Sequence, residues 1–461
     1  MGQTLSEPVV EKHTQSGGDD RLAWAVSEMQ GWRLTMEDAH AGVLSLGDTD
    51  KDGKKTSFFA VYDGHGGSTV AKFAGDTVHS RLAANDAFKQ RDWAASLKRA
   101  YLETDEDLRA NPDFRGDPSG CTAVSAIITP ELNIVCANAG DSRAVMSVGG
   151  EAKPLSFDHK PTNASETSRI VAAGGFVEFG RVNGNLALSR ALGDFEFKQG
   201  QNLAPENQIV TADPDITVHE HTQEDEFVVI ACDGIWDVLT SQQVIDYVRL
   251  SISQSKPLTT ICEELMDRCL APDSDWGGVG CDNMTLMVVA LLGDRSQGEW
   301  YDWVKGRVES GEGYQTPKEF VEPFGQGGNG PRGALMGGAS GGQGGGQGAP
   351  GGLMGGALRI GQAGPGGGIT LSFPGQGEED SDEEGETELD LPTIQAALRA
   401  RMAELEREEG NGEGEDQEMQ DEGEDDGKIQ EIEDVAQGDK KEGSELDPSR
   451  ISTSHSPAKT L

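Results

Sequence analysis

The sequence predicts an α+β fold in which strands and helices occupy separate layers. Two observations lead there. Short apolar runs rich in aromatic and β-branched residues, at 58–62, 227–232 and 284–292, read as buried strands. Helical patterns at about 68–82, 93–108, 163–173, 241–251 and 258–270 come in groups and do not follow each strand in turn, so repeated parallel βαβ units are disfavoured.

The first strand is read at 22–26, followed by Gly31-Trp32-Arg33-Leu34-Thr35-Met36-Glu37-Asp38-Ala39-His40. The 58–62 run stops abruptly at Asp63-Gly64-His65-Gly66-Gly67, and the helix after it carries Val70, Phe73, Ala74 and Val78 on one face. Residues 121–128 and 132–139 read as strands broken by Thr129-Pro130-Glu131, and the second runs into Gly140-Asp141-Ser142-Arg143. A further strand at 144–148 ends at Gly149-Gly150. Asn183-Gly184 marks a tight turn within 181–194, which is expected to be a mobile flap. The 227–232 strand meets Asp233-Gly234-Ile235-Trp236-Asp237, and Asp282-Asn283 stands at the entrance to the last apolar run.

Composition narrows the function. The formal net charge is −42, of which −21 lies in residues 1–300 and −21 in 377–461. Such a chain repels phosphate backbones and anionic lipid, so nucleic acid is not an expected partner, whereas cations are. The six cysteines include no Cys-x-x-Cys pair, against both a zinc site and a disulfide framework. No apolar stretch approaches the roughly 20 residues that a bilayer crossing needs, and no signal peptide is recognised. A monomer of the cytoplasm, and also of the nucleus, is expected. Met1-Gly2-Gln3-Thr4-Leu5-Ser6 fits the myristoylation pattern with Gly2 as acceptor, and one acyl chain would give weak membrane association.

These readings divide the chain into an N-terminal arm (1–20), a globular domain (21–295), a C-terminal extension (296–324), a Gly/Gln-rich disordered linker (325–377) and an acidic disordered tail (378–461). Within the tail, Ile394, Leu398, Met402 and Leu405 fall on one helical stripe in a short amphipathic helix near 392–409, which would suit a regulatory partner. Ser381, among acids, would suit phosphorylation.

Asp63, Asp141, Asp233 and Asp282 each flank a strand apolar enough to be buried. One such acid is an ordinary turn residue. Four of them at a shared sheet end would crowd carboxylates that cannot all stay ionised without a compensating cation. All-oxygen donors point to Mg²⁺ or Mn²⁺. A bridging Asp63 would hold two ions roughly 3.5–4 Å apart and activate a water for attack on phosphorus. The Gly64 carbonyl could coordinate beside it, the Arg33 fork suits phosphate oxygens, and His65 could protonate the leaving oxygen.

Gly31-Trp32-Arg33 with Met36 to His40, Tyr62 to Gly67, Gly120-Cys121-Thr122-Ala123, Ala139 to Arg143, Leu186 to Asp194, Cys232 to Asp237 and Asp282-Asn283 resemble, in this order, the motifs of metal-dependent type-2C serine/threonine protein phosphatases, the PPM family. The resemblance spans about residues 20–295. It implies a four-layer α/β/β/α sandwich with two central antiparallel sheets and a dinuclear Mn²⁺ or Mg²⁺ centre that hydrolyses phosphoserine and phosphothreonine in phosphorylated proteins. By motif, Asp63 would bridge the ions, the Gly64 carbonyl would bind the first, and Asp233 and Asp282 the second. Glu37 and Asp38 would act on the ions directly or through water, and Asp141 with Asp233 would hold a weaker third ion. Arg33 would grip the phosphate and His65 would be the general acid. Other readings are a catalytically inactive phosphoprotein-binding module of the same fold, an interaction hub acting through the tail, and a metal-dependent nuclease, the last opposed by the net charge.

Overall fold

In the computed structural model, residues 4–47, 55–274, 276, 278–324, 359–362 and 369–372 are described. Gly2, Ser381, the tail from 378 onward and its 392–409 helix lie outside them.

Two antiparallel sheets stack face to face. The first has six strands in the order Thr4–Gly18, Leu22–Arg33, Met284–Leu291, Asp225–Ala231, Arg143–Val148 and Glu151–Pro154. The second has five, in the order Asp215–His219, Ile134–Ala139, Ala123–Ile128, Ser57–Tyr62 and Ala39–Val43. Every pairing in both is antiparallel.

The period of two along a strand explains why these strands read as unbroken apolar runs: both faces are buried, each against a different layer. Phe59, Val61, Val228, Ile230, Met287 and Val289 point between the sheets. Their neighbours Phe58, Ala60 and Tyr62 pack under helices Thr69–Ala84 and Trp93–Ala110. Phe227, Val229, Leu286 and Val288 pack under helices Ser241–Ser253, Leu258–Cys269 and Gln297–Ser310. The result is the four-layer α/β/β/α sandwich that the resemblance implies.

Four segments depart from the sequence reading. Thr4–Gly18 is an edge strand of the first sheet, whereas 1–20 was expected as an arm. None of its residues is buried, so its side chains are mostly polar and the apolar signal of a strand is missing. Residues 296–324 belong to the domain: Trp300 and Val304 are fully buried in the core beneath the first sheet. The run 121–128 is not one strand. Gly120–Cys121 joins Leu192–Gly193 and Gly64–His65 in a separate three-stranded sheet, and Thr122 lies between the two pieces. Within 325–377, expected to be wholly disordered, Arg359–Gln362 pairs antiparallel with Ile369–Ser372, since Ile360, Ile369 and Leu371 are β-formers around a Gly/Pro-rich turn sequence.

Residues 181–194 belong to a lobe with its own small core of Ile170, Val182, Leu188, Ala191, Phe197 and Val210. Glu166 clamps this lobe, accepting bonds from Arg169 Nη1 (2.7 Å), Arg190 Nη2 (2.7 Å) and Ser189 Oγ (2.6 Å).

Candidate metal centre and active site

Strand ends from both sheets open into one cleft of about 420 Å³. It is lined by Arg33, Glu37, Asp63, Gly64, His65, Asp141, Asp233 and Asp282, with Thr122, Arg181 and the 185–188 segment at its walls. Positions up to 249 residues apart in sequence thus meet, as the Arg33–Asp282 ion pair illustrates. Asp38 lies buried beside it. A separate depression of about 460 Å³ contains Arg268, Asp267 and Glu322, whose charges are paired among themselves and with Lys12.

Backbone bonds hold Asp63 in place. Thr122 N–H donates to the Asp63 carbonyl (2.9 Å), and Thr122 Oγ1 accepts from Asp63 N–H (3.3 Å). Gly64 must be glycine, because a Cβ there would overlap the Glu37 carbonyl. Asn283 fixes the loop before Glu37: its Oδ1 accepts from Glu37 N–H (2.9 Å) and its Nδ2 donates to the Gln30 and Thr35 carbonyls (2.8 and 2.9 Å). The Glu37 carboxylate accepts from Thr35 Oγ1 (2.7 Å) and Gly67 N–H (3.0 Å), so it also braces the glycine turn after His65.

The electrostatics are those of an acid cluster short of cations. Burial pushes the carboxyls of Asp63 and Asp233 well above their ordinary range, and each is raised further by neighbouring carboxylates, Asp233 and Asp38 on the first, Asp141 and Asp282 on the second. Burial takes Asp38 up to about 7 against the lowering effect of the Thr285 hydroxyl, which donates to its Oδ2 at 2.7 Å. Asp282 is raised by burial and held back by Arg33. Lys160 Nζ pairs with Asp141 Oδ2 at 2.5 Å.

These residues fit a divalent centre. The Asp38 Oδ1 atom is buried with no hydrogen-bond partner. Donor atoms of Asp38, Asp63 and Cys232 lie within 4.8 Å of one another. The Cys232 thiol is pushed far up by burial and bonds to the Thr285 amide (3.1 Å) and Asn283 carbonyl (3.5 Å), which leaves carboxylate and carbonyl oxygens as the donors. Hard oxygen donors suit Mg²⁺ or Mn²⁺.

His65, expected as the proton donor, is held by a buried partner. Its Nε2 bonds to Asp194 Oδ2 at 2.8 Å, and Asp194 is 4% exposed. Burial lowers the imidazole pKa, but the bond to Asp194 and its charge outweigh this and the net shift is upward. Sequence reasoning assigned no role to Asp194, Lys160, Asn283 or Thr122. For Asp194 the available signal was Gly193-Asp194 after an apolar stretch. For Lys160 there was none, since a lone lysine in a loop is ordinary.

A family model described as Protein phosphatase 2C matches residues 22–275. Over 331 residues the chain is 54% identical to Protein phosphatase 2C homolog 2 of Hypocrea jecorina, covering 71% of this chain and 75% of that one. It is 52% identical over 322 residues to Protein phosphatase 2C homolog 2 of Schizosaccharomyces pombe, covering 70% and 87%. Among solved structures, a phosphatase from a pathogenic strain of Toxoplasma gondii aligns with a TM-score of 0.52 at 26% identity, covering 61% of this chain and 96% of that one.

Proposed function

Since the chain belongs to the protein phosphatase 2C family, we propose that its acidic cleft hydrolyses phosphoserine and phosphothreonine esters with two Mn²⁺ or Mg²⁺ ions, a third binding more weakly. It is a metal-dependent serine/threonine protein phosphatase, and phosphoproteins are its substrate class. The observation that carries the finer reading is the meeting of Asp63, Asp233 and Asp282 with Arg33 and His65 in one cleft.

In this reading the two ions would be held by Asp63, contributing to both, by the Gly64 carbonyl on the first, and by Asp233 and Asp282 on the second. Glu37 and Asp38 would act on them directly or through water, and Asp141 with Asp233 would hold the third. Once bound, the ions neutralise the carboxylates, polarise the phosphoryl oxygens and lower the pKa of the attacking water. Arg33 keeps guanidinium donors available to phosphoryl oxygens while its Nη2 holds Asp282. His65, with Nε2 committed to Asp194, has Nδ1 left to donate a proton to the departing serine or threonine oxygen.

The test is hydrolysis of a phosphothreonine peptide by the full chain with Mn²⁺, with Mg²⁺ and with chelator. Turnover that needs the metal and disappears in Asp63→Ala supports the reading, and metal-independent turnover rejects it. We propose in addition that Gly2 accepts a myristoyl group giving weak membrane association of a protein of the cytoplasm and nucleus, and that the acidic tail engages a regulatory partner. The intact mass of protein co-expressed with an N-myristoyltransferase tests the first of these.

A further inference from the structure

Lys198 and Asp105 form a buried ion pair that does not line the acidic cleft. The Lys198 side chain is 1% exposed and that of Asp105 10%. A lysine is seldom buried unless it is paired, and this pair is part of a larger arrangement. Asp105 Oδ1, on the helix Trp93–Ala110, accepts from Lys198 Nζ at 2.7 Å and from Gly193 N–H at 2.8 Å. Lys198 Nζ also donates to the Ala191 carbonyl at 2.8 Å, and Arg109 Nη1 donates to the Lys198 carbonyl at 3.1 Å. The chain is thereby gripped on both sides of Gly193-Asp194.

Those two residues are in the left-handed region, with φ of +79° at Gly193 and +51° at Asp194. A Cβ at Gly193 would come within 2.6 Å of the Ser119 carbonyl, so only glycine fits. Asp194 is not a glycine, and holding it in this conformation has a cost that surrounding structure must offset. Its carboxylate thereby reaches His65 Nε2 at 2.8 Å, across Gly120, where any Cβ would collide with both partners.

We propose that Asp105 and Lys198 are positioning residues for the hydrolysis: by fixing Gly193-Asp194 they hold the Asp194 carboxylate that orients the His65 imidazole toward the leaving oxygen. The inference rests on the reading of His65 as general acid. It adds a buried link from a helix outside the second sheet to the proton donor, one that touches neither substrate nor metal.

The test compares a phosphothreonine peptide, whose alkoxide leaving group needs a proton, with p-nitrophenyl phosphate, whose leaving group does not. In Asp105→Ala, which removes the acceptor of both Gly193 N–H and Lys198 Nζ, kcat on the peptide should fall about 10-fold or more while kcat on p-nitrophenyl phosphate stays within about threefold and KM for Mn²⁺ is unchanged. The double variant Asp105→Ala with Lys198→Met removes the unpaired buried charge, restores thermal stability and should keep the same substrate split, because Gly193 N–H still loses its acceptor. Leu265→Ala, in the core below the other helix layer, is the control for destabilisation and should show no split. The ¹⁵N resonance of His65 Nε2 in the metal-free full chain should shift in both Asp105 variants. Equal loss on both substrates, no loss, or an unmoved His65 resonance would overturn the proposal. His65→Ala separates the two failures: without a substrate split there, the general-acid reading itself is wrong.

Discussion

At the scale of single residues, the centre is built from side chains whose neighbours prevent them from relaxing. Gly64 touches the Glu37 carbonyl, Thr122 bonds both backbone groups of Asp63, and Asn283 spans three backbone positions around Glu37. These contacts preorganise the carboxylates at a separation that would be repulsive without cations. Replacing His65 by alanine is expected to slow phosphothreonine peptide hydrolysis by about 10²-fold or more and p-nitrophenyl phosphate hydrolysis much less, as steady-state kinetics on the two substrates would show. The position of Asp63 was legible from an apolar strand ending in Asp-Gly-His. Its proximity to Asp38 was not, because Asp38 is followed by an unremarkable strand start and its hydroxyl partner, Thr285, lies on a strand of the other sheet.

At the scale of elements, the lobe that contains residues 181–194 and the helix Gln297–Ser310 carry the clearest consequences. Burial alone would raise the Glu166 carboxyl, but bonds from Arg190 and Ser189 and the charge of Arg169 hold it at about 2. A folded pKa below the unfolded value of 4.5 means the stabilisation is complete above pH 4.5 and is lost as pH falls toward 2. Glu166→Gln, which leaves Arg169 and Arg190 facing a neutral amide, should cost about 3 kcal/mol near neutrality in denaturant unfolding, and the deficit should shrink across that acid window. The helix Gln297–Ser310 supplies Trp300, whose Nε1 donates to the Glu226 carbonyl at 3.1 Å, and the following segment caps Arg249 through Tyr314 O (2.8 Å) and Thr316 Oγ1 (2.9 Å). A protein ending at residue 324 should therefore unfold at the same midpoint as the full chain. One ending at 295, which lacks Trp300 and Val304, should be less stable by at least about 3 kcal/mol, comparable to truncating a buried tryptophan.

On the scale of the whole molecule, acidity is the governing quantity. Residues 1–300 carry −21, and the cleft concentrates part of it in the low dielectric between sheet ends. Asp38, raised from 3.8 to about 7, binds its proton more tightly in the folded than in the unfolded chain. Between those values the folded state holds the extra proton, so stability of the metal-free protein should decline as pH rises from about 4 to 7. Mn²⁺ should reverse that decline, adding about 2.7 kcal/mol at a concentration 100 times its Kd. Calorimetry across pH 5–8 with chelator and with Mn²⁺ would show converging melting temperatures at the acid end. Melting temperatures that differ equally at every pH would remove the carboxylate cluster as the cause.

What the amino-acid order alone determined was local: which runs are doubly buried strands, that Asp63, Asp141, Asp233 and Asp282 stand beside such strands, and that 325–461 differs in composition from the rest. Each of these is a short-range consequence of side-chain pattern and turn chemistry. Tertiary structure decided what depends on neighbours distant along the chain. The polar strand Thr4–Gly18 has no apolar period of its own and is defined by the edge of Leu22–Arg33; Trp300 becomes core only because the first sheet offers it a face; and Asp194 reaches His65 only once Asp105, on a helix 89 positions earlier, has fixed the turn. Burial and charge pairing are properties of three-dimensional proximity, and no window along the sequence contains them.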